Sequence, residues 1–559
     1  MHATRGFDSR HLHIYKTAPR AVLCWSPMIA TIQVMIKQRV HEDVVSAVQI
    51  IGLDAGGVLI ERPRQAEHGD YSTNIALKAG APGRAAEIAK TLSETGRYNA
   101  AAAGGFVNIS LKIEAWHEEL KNILNEKEEY GSANIGKKER VNVEFISANP
   151  TGPLTAGNAR GGFVGDVLAN VLQKMGFDAT REYYFNDAGT QVQKLLESVR
   201  AHAVGAVTDE TQYRGEYIAE LARDFEVEIK TSSDEELGKL LTSAIFERYI
   251  KGAIERMGVN FDVWTNERNL VGSGEVEKAF ERLKKEGLLY EKDEALWVKT
   301  ESLGDTRDRV VKNSNGDMTY LGTDIAYHID ILEKRGFSKA IKIWGADHAA
   351  QAPSLRTIVE KLLTGKKIEF VTMQFVRLLK GGEEFKISKR AGTYITVEEL
   401  LEEIGVDAAR YFMLQHATNT HIELDIDLAK EQSQKNPVYY VQYSYARAHQ
   451  IMEKSGGEKK ESINVSALQS PEELLLIKKL AEYPELLETI ALSQHGNYDL
   501  HKLTTYAHEV ATAFHVFYEN CYVIENGKVN EPRLLLVKAY QIVLKDVLGL
   551  LGISAPERM

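Results

Sequence analysis

The chain is poor in cysteine and lacks the motifs in which cysteine and histidine bind metal together. Only Cys24 and Cys521 occur among 559 residues, with no CxxC pair and no Cys/His cluster at zinc spacing. These absences argue against a disulfide framework and against a protein-bound zinc or other metal site. No apolar run approaches the roughly 18 residues of a membrane-spanning helix, and no GxGxxG fingerprint indicates a dinucleotide. We therefore predict a cytosolic (cytoplasmic) protein without a membrane partner.

An excess of basic residues is also missing, since the net charge is −11. This balance argues against indiscriminate nucleic-acid binding, although a local basic face can bind RNA on an acidic protein. The hydrophobic content of 44% and the charged content of 26% are those of a globular protein. A chain of this length is too long for one core, so we expect three or four domains.

The first 27 residues show no clear periodicity, and Met28 then begins a plausible amphipathic segment. The basic stretch with a short apolar piece, Ala21 to Trp25, invites comparison with a targeting signal. That piece is too short, however, and no small-residue cleavage site follows it. We predict a non-structural extension over 1–27, with a targeting segment as the alternative.

Two distant segments indicate that the chain binds phosphate. The first, FISANPTGPLTAGNARGG from Phe145 to Gly162, reads as a buried strand, a Pro/Gly-rich turn and a helix that opens on glycines. Free N–H groups and the positive end of such a helix favour an anion. The second, FKISKRAG from Phe385 to Gly392, places cations on a loop between small residues. Together they suit a nucleoside triphosphate, whereas the basic loop alone would be an ordinary solvated turn.

The middle of the chain alternates strands and helices. Strand VNVEFIS, helix GGFVGDVLANVLQKMG and strand ATREYYFND follow in quick order, and further strands are expected at ALWVK, IKIWG and FVTMQFV. This rhythm predicts a parallel sheet with crossover helices. Ligands bind such sheets beyond the carboxyl ends of the strands, and both phosphate-binding segments come just after strands.

The two segments resemble the HIGH and KMSKS signatures of class I aminoacyl-tRNA synthetases. VEFISANPTGPL before the first and GTYITVEELLEEIGVDAARYFML after the second are similar to arginyl-tRNA synthetases. The resemblance runs from about Ile29 to Met559. One departure is serious: the first signature reads Thr155-Ala156-Gly157-Asn158, where the family usually carries histidine at its first and last positions.

The resemblance implies an α/β class I Rossmann-type catalytic domain between two tRNA-contacting domains. We expect an N-terminal α/β domain at 28–115, a catalytic domain at 116–427 and an all-α anticodon-binding bundle at 428–559. A helical insertion is expected at about 191–257. From the residues alone, the first module could equally be a folding appendage, and the resemblance favours RNA contact.

A tyrosine-rich helix opens the last domain. Its sequence, NPVYYVQYSYARAHQ, combines aromatic rings with arginine, a pairing that suits stacking on unpaired bases. Core packing is the commoner explanation of such a stripe, and the family's anticodon-binding bundle favours RNA instead. The candidate tRNA-binding residues are Tyr439, Tyr440, Gln442, Tyr443 and Arg447.

Amino-acid activation needs a carboxylate to attack the α-phosphate of ATP, so positioning and electrostatic stabilisation dominate the catalysis. The candidate catalytic residues are Asn158, Lys386, Ser388 and Lys389. Asp347 and His348 follow another predicted strand and suit ribose or adenine, although such a pair is often structural. The candidate ATP-binding residues are Pro153, Thr155, Gly157, Asn158, Asp347, His348, Lys386 and Lys389.

The two departures in the first signature have unequal consequences. Asn158 can still donate two hydrogen bonds to phosphate, but Thr155 is short and cannot be cationic. Loss of one transition-state donor costs on the order of 10²–10³ in rate at comparable sites. We therefore expect an enzyme that is slow, compensated elsewhere, or disabled.

Recognition of arginine requires acidic residues, because carboxylates pair with a guanidinium in fork geometry. Tyr320 and Asp324 lie four apart on one predicted helix, in a segment that resembles the family's arginine-reading helix. Glu144 and Asn149 match positions that, in the family, hold the backbone groups of the amino acid. Strand alternation would place these two on opposite faces unless a turn at Ala148 intervenes. Glu267 is a further acidic candidate.

The resemblance thus implies an arginine–tRNA ligase that uses ATP with Mg²⁺, depends on bound tRNA and acts as a monomer. A catalytically impaired tRNA- or nucleotide-binding paralogue is the alternative, because it too would show Thr155 and Asn158. A nucleotidyltransferase that does not bind RNA would have no reason for a tyrosine-rich helical C-terminal domain.

Overall fold

The structure is a computed structural model that describes residues 35–187, 189–206, 213–385, 394–456, 464–493 and 496–559. The predicted extension at 1–27 and the candidate residues Lys386, Ser388 and Lys389 lie outside the described residues. Within the described ranges, no helix has both the length and the apolar character needed to cross a membrane.

The N-terminal part is a small three-stranded antiparallel sheet, in the order β1-β3-β2, covered by helices. Helix α1 buries Val40, Val44 and Val48, which recur at a spacing of four on one face. The segment VLIERP is strand-like in sequence, but it forms only an isolated bridge, Glu61 to Ser72. The elements are α1 (Ile36–Ile50), β1 (Tyr71–Thr73), α2 (Ile75–Lys78), α3 (Ala85–Glu94), β2 (Tyr98–Ala103), β3 (Phe106–Leu111) and α4 (Ile113–Glu126).

The central part follows the predicted alternation of strands and helices, with a run of helices between the second and third strands. Its elements are β4 (Arg140–Glu144), α5 (Ala156–Lys174), β5 (Asp178–Phe185), α6 (Thr190–Ala203), α7 (Glu216–Asp224), α8 (Glu226–Thr231), α9 (Asp234–Ile245), α10 (Lys251–Arg256), β6 (Val263–Asn266), α11 (Glu267–Gly272), α12 (Glu275–Lys285), β7 (Leu289–Lys292), β8 (Ala295–Val298), β9 (Arg309–Lys312), α13 (Tyr320–Ile329), β10 (Lys339–Gly345), α14 (Ala352–Leu362), β11 (Lys367–Met373), β12 (Val376–Lys380), β13 (Glu383–Glu384), α15 (Val397–Leu414), β14 (Ile422–Asp425) and α16 (Ile426–Lys430).

A five-stranded parallel sheet forms the core of this part, in the order β11-β10-β4-β5-β6. From β4 the chain first adds β5 and β6 on one side and later adds β10 and β11 on the other. The order therefore reverses between β4 and β10, and the crevice at their carboxyl ends is where such sheets bind ligands. The fold class predicted from the sequence is confirmed.

The three further predicted strands form, but they belong to different sheets. IKIWG is in β10 of the parallel sheet, whereas ALWV is β8 of a separate antiparallel sheet, β7-β8-β9. FVTMQFV is divided between β11 and β12, because the chain leaves the parallel sheet at Gln374 to join a third sheet, β13-β12-β14.

The C-terminal part is helical, as expected, apart from one short hairpin. Its elements are α17 (Pro437–Lys454), α18 (Pro471–Ala481), α19 (Tyr483–Ala491), α20 (His501–Asn520), β15 (Ile524–Glu525), β16 (Lys528–Val529) and α21 (Glu531–Leu551). Helices α17, α18, α20 and α21 bury long apolar stripes against one another.

The C-terminal part covers β11, which lies at one end of the parallel sheet. The Tyr498 hydroxyl donates to Glu369 Oε2 at 2.6 Å, and Lys339 pairs with the same carboxylate at 3.2 Å. Gly496 has φ +80°, and a Cβ atom there would lie 1.9 Å from the carbonyl oxygen of Phe370. Only glycine permits this approach.

Arg410, on α15, joins three parts of the chain at one buried point. Its guanidinium is 1% exposed and pairs with Asp166 of α5 at 3.0 Å. It also donates to the carbonyl oxygens of Met257, after α10, at 3.0 Å and of Leu551, at the end of α21, at 3.0 Å. A buried guanidinium needs such acceptors, so the central part of the chain is bonded to the last helix.

Candidate active site

A cavity of about 810 Å³ opens at the carboxyl ends of β4 and β10, where the strand order reverses. The five residues predicted to bind arginine all line this cavity, although they come from three separate segments of the chain. They are Glu144, Asn149, Glu267, Tyr320 and Asp324.

Glu144 and Asn149 reach the same cavity because the backbone changes direction between them. Ile146 and Ser147 both have positive φ, +64° and +45°, a conformation that costs energy for a β-branched residue such as isoleucine. The turn therefore comes earlier than Ala148. Asn149 Oδ1 accepts the backbone N–H of Asn186 at 3.1 Å, which fixes the amide orientation.

Helix α13 presents Tyr320 and Asp324 one turn apart, as the spacing predicts. Its N-cap is Thr319, whose hydroxyl accepts the N–H of Gly322 at 3.3 Å. A Cβ atom at Gly322 would lie 2.4 Å from the carbonyl oxygen of Val311, so glycine allows α13 to pack directly on β9. Tyr320 remains 53% exposed at the mouth of the cavity.

Lys342 is the residue of this site that the sequence analysis missed. It lies on β10 beside Glu144 of β4, and its ammonium is 2.8 Å from Asp324 Oδ1 and 3.3 Å from Glu144 Oε2. Burial lowers the pKa of Lys342, but the two carboxylates more than offset this and raise it above its ordinary value. The signal for Lys342 in the sequence was a lysine within a strand that is otherwise buried.

The acidic groups of the cavity are crowded and poorly hydrated. Burial raises the pKa of Glu144, against the opposing effect of Lys342. Burial also raises the pKa of Glu267, whose Oε2 accepts the hydroxyl of Tyr184 at 2.8 Å. Three of the carboxylates that line the cavity, those of Glu144, Glu267 and Asp324, form a site for a cationic ligand.

The start of α5 is closed by a capping box between Thr155 and Asn158. Asn158 Oδ1 accepts from the Thr155 backbone N–H and from its hydroxyl, both at 2.9 Å. The Thr155 hydroxyl in turn accepts the Asn158 N–H at 3.3 Å. The hydroxyl proton of Thr155 is thus committed within the box, whereas the structure records no bond from Asn158 Nδ2 within the described ranges.

The capping box leaves few free backbone donors at this helix end. The Ala156 N–H donates to the carbonyl of Ile395 at 3.1 Å, and the Asn158 N–H is used by the cap. In the first turn of α5, the Gly157 N–H is the one for which the structure records no partner among the described residues. The expectation of several N–H groups around an anion is therefore reduced to this one.

The later glycines of α5 serve packing. Cβ atoms at Gly161 and Gly162 would lie 2.9 Å from Met373 and 2.4 Å from Met257, and one at Gly165 would lie 2.1 Å from the ring of Phe145. These glycines let α5 lie close against the end of β4 and its neighbours. They therefore explain the glycine-rich helix opening without any phosphate contact.

The remaining predicted ATP-binding residues differ in how far the structure describes them. Thr155, Gly157 and Asn158 line the cavity, and Pro153 lies just before them outside its lining. Asp347 and His348 belong to a 3₁₀ turn, Ala346–Gln351, directly after β10, and their side chains lie outside the description. Phe385 and Tyr394, on either side of the second signature, both line the cavity.

Three family models match successive parts of the chain. The arginyl tRNA synthetase N terminal domain matches 32–111, the catalytic domain of class I (R) tRNA synthetases matches 119–447, and the DALR anticodon binding domain matches 441–559. The chain belongs to the arginyl-tRNA synthetase family. The predicted domain boundaries, at 28–115, 116–427 and 428–559, stay predictions.

Curated relatives of this family match along nearly the whole chain. The arginine–tRNA ligase of Moorella thermoacetica is 41% identical, over 90% of this chain and 94% of its own. Arginine–tRNA ligase 1 of Halalkalibacterium halodurans is 39% identical, over 94% and 99%. The arginyl-tRNA synthetase structure of Thermus thermophilus has a TM-score of 0.73 at 22% identity, covering 94% of this chain and 100% of that one, and shows the shared fold.

The tyrosine-rich helix of this synthetase is α17, and it presents aromatic rings at the surface. Tyr439 and Tyr443 are parallel, with centroids 6.1 Å apart. The Arg447 guanidinium lies 5.3 Å from the Tyr443 ring and 5.2 Å from the Tyr518 ring. Such a row of rings beside arginine is suited to unpaired bases.

The two other candidates of α17 have partners within the domain. Tyr440 lies against His508 and His515 of α20, at centroid distances of 4.9 Å and 4.8 Å. Gln442 is buried, and its amide donates to Asp407 Oδ2 at 2.8 Å and to the Ser554 carbonyl at 3.0 Å. Tyr440 therefore packs α17 against α20, and Gln442 joins α17 to α15.

Proposed function

We propose that arginine and ATP react in the cavity between β4 and β10, and that the tRNA 3′ end receives arginine there. The chain is an arginine–tRNA ligase. It joins L-arginine to tRNA with conversion of ATP to AMP and pyrophosphate. The observation that carries the proposed location is the convergence of Glu144, Glu267 and Asp324 on one cavity beside the start of α5.

Asp324 is proposed to bind the guanidinium of arginine, with Glu267 and Tyr320 beside it. Planar N–H donors suit carboxylate oxygens, and the partial burial of these acids strengthens each bond. Glu144, buried at the end of β4, and Asn149, in the turn that follows, are proposed to hold the α-ammonium group. This arrangement would leave the substrate carboxylate free to approach ATP near α5.

ATP is proposed to bind along the start of α5, with Mg²⁺ arriving as part of the substrate. The substrate carboxylate attacks the α-phosphorus, a new O–P bond forms, and the bond to pyrophosphate breaks. Gly157 N–H and Asn158 Nδ2 are the donors that the capping box leaves for phosphate. Thr155 acts through the box, and Pro153 shapes the turn. Further proposed contacts come from Asp347 and His348 to the nucleoside, and from Lys386, Ser388 and Lys389 to the departing pyrophosphate.

The α17 face is proposed to bind the anticodon through Tyr439, Tyr443 and Arg447. Tyr440 packs against His508 of α20, and Gln442 fixes α17 on α15. Stacking on exposed bases contributes roughly 1–3 kcal/mol per base. A monomeric state and a cytoplasmic location stay predictions.

Arginine-dependent ATP–pyrophosphate exchange, measured with and without tRNA, tests the proposal. We expect exchange that requires both arginine and tRNA, and that Asp324→Asn suppresses. Exchange with another amino acid, or tRNA binding without any exchange, would overturn it, and the second result would indicate an impaired paralogue.

A further inference from the structure

The ammonium of Lys342 occupies a site built for one cation at the base of the cavity. The residue is 8% exposed, and its Nζ atom contacts Asp324 Oδ1 at 2.8 Å and Glu144 Oε2 at 3.3 Å. Within the described ranges, no other lysine or arginine pairs with either carboxylate. Two separate elements, β4 and α13, are thus held by one charge.

Three aromatic rings complete this cation site. Lys342 Nζ lies 5.7 Å from the ring centroid of Tyr184, 5.6 Å from that of Tyr327 and 5.7 Å from that of Trp344. An ammonium within about 6 Å of a ring is attracted to its face. The rings also exclude water, so the bonds to the two carboxylates are strong and the ammonium has little freedom to move.

The other titratable groups around Lys342 cannot replace its charge. Glu182 is fully buried and pairs with Arg335 at 2.6 Å. His328 is neutral at physiological pH, because burial lowers its pKa to about 4. Glu267, across the cavity, adds negative charge. Without Lys342, burial and the nearby charge of Asp324 would both favour the protonated form of Glu144.

We propose that Lys342 is a positioning residue for arginine, which holds Asp324 and Glu144 as adjacent ionised carboxylates before the substrate arrives. It binds Oδ1 of Asp324, and the structure records no bond to Oδ2 among the described residues. Oδ2 is the atom assigned to the guanidinium. The inference rests on the proposed arginine site and adds the residue that keeps this site in its binding form.

Substitution of Lys342 by methionine should make the KM for arginine strongly pH-dependent. At about pH 6 we expect KM to rise on the order of tenfold or more over the parent, because burial and the neighbouring carboxylate favour the protonated form of Glu144. At about pH 8.5, where alkaline solution favours the ionised form, we expect KM to return to within about threefold of the parent. The kcat for exchange changes much less, and Lys342→Arg, which keeps a cation, retains a flat profile.

Lys339→Met is the matched control, because Lys339 lies on the same strand and pairs with Glu369 at 3.2 Å away from the cavity. We expect its KM profile to stay flat. A KM for Lys342→Met that falls at every pH would mean that Lys342 competes with arginine. A KM raised equally at every pH would mean a purely structural role, and either result overturns the inference.

Calorimetry on the unaltered protein tests the same inference without any variant. Arginine is titrated into the protein–tRNA complex at about pH 6.5 in two buffers of different ionisation enthalpy. If Lys342 keeps both carboxylates ionised, binding releases no proton, and the two buffers give the same heat. Release of about one proton per arginine would overturn the inference. Absence of arginine-dependent exchange in the parent would instead refute the proposed function.

Discussion

Thr155 and Asn158 are hydrogen-bonded to each other at the start of α5, through three bonds of 2.9, 2.9 and 3.3 Å. The family usually has histidine at both positions. In this chain the two residues form a capping box, which stabilises the helix and uses the Thr155 hydroxyl and the Asn158 backbone N–H, leaving Asn158 Nδ2 for phosphate.

Introducing histidine at both positions should increase the reaction rate and lower the stability of the protein. We expect Thr155→His/Asn158→His to increase ATP–pyrophosphate exchange by about tenfold or more, because imidazole N–H groups reach a phosphate oxygen. The loss of the capping box should lower the free energy of unfolding by about 1 kcal/mol. Exchange kinetics and thermal unfolding of one preparation measure both effects.

Ser233→Ala is the control for these opposite effects on rate and stability. Ser233 forms the equivalent capping box of α9 with Glu236, away from the cavity. It should show the loss of stability without a change in exchange rate. A double-histidine variant no faster than the parent would mean that the missing donors are replaced elsewhere.

Removal of the charge on Asp324 should weaken arginine binding specifically. We expect Asp324→Asn to raise the KM for arginine by on the order of 10² or more, because a buried charged partner is worth about 2–5 kcal/mol. The KM for ATP should change little. Steady-state exchange kinetics measure both constants. Asp330→Asn, at the end of the same helix and outside the cavity lining, is the control.

Substitution at Gly496 should detach the C-terminal part from β11. Gly496→Ala places a Cβ atom 1.9 Å from the Phe370 carbonyl oxygen, and we expect a loss of more than about 2 kcal/mol in stability. Gly527→Ala has a similar φ of +74° with nothing within 4 Å, so it measures the backbone penalty of about 1 kcal/mol alone. Equal unfolding temperatures for the two variants would contradict the tight contact.

Acid should destabilise the protein through His328. Burial lowers its folded pKa to about 4, whereas an unfolded histidine titrates near about 6.5. Between these values the unfolded state binds the extra proton, so stability falls as the pH decreases from about 6.5 to about 4.

We expect His328→Asn to reduce the stability lost between about pH 7 and about pH 4.5 by about 2–3 kcal/mol. The asparagine amide can keep the hydrogen bond that His328 makes with the Asp324 carbonyl. Urea unfolding followed by tryptophan fluorescence at both pH values measures the change. His68→Asn, which makes the same substitution at an exposed histidine, is the control.

The α17 face should affect tRNA and not arginine. We expect Tyr443→Ala to raise the KM for tRNA by about tenfold in aminoacylation, since one stacked base is worth about 1–3 kcal/mol. The KM for arginine should stay the same. Tyr522→Ala, on the same part of the chain and 65% exposed, is the control. A change in both KM values would point to unfolding of the domain.

The sequence predicted the sheet, the helical C-terminal part and the five acidic and polar residues that meet in the cavity. The sheet and the helical part follow from periodicity, which is local, whereas the five residues follow from the resemblance to the arginyl-tRNA synthetase family. Lys342 was missed because its role depends on the register of β10 against β4, which links residues almost 200 positions apart. That ALWV belongs to a separate sheet was not predicted for the same reason, since the sequence of a strand does not show which strand it pairs with.

The capping box and the glycine contacts show a second limit of motif reading. From the sequence, Thr155 and Asn158 can each be judged only separately as phosphate donors. Their hydrogen bonds to each other depend on the geometry of the helix start. Gly161, Gly162 and Gly165 look like a phosphate-binding opening in sequence, yet neighbouring side chains explain each of them. Small residues at the start of a helix can therefore indicate either phosphate binding or close packing. Only the packing in the structure distinguishes these two explanations.

Arg410 also affects how the chain is completed during translation. Its guanidinium sits between Asp166 and the carbonyl of Leu551, which follows Arg410 along the chain. Synthesis proceeds from the N terminus at about 5–20 residues per second, so Asp166 and Arg410 leave the ribosome before Leu551 does. A nascent chain therefore carries the Arg410 guanidinium without this acceptor until Leu551 has been made. Premature termination within α21 should leave a catalytic domain that chaperones and proteases recognise as unfinished.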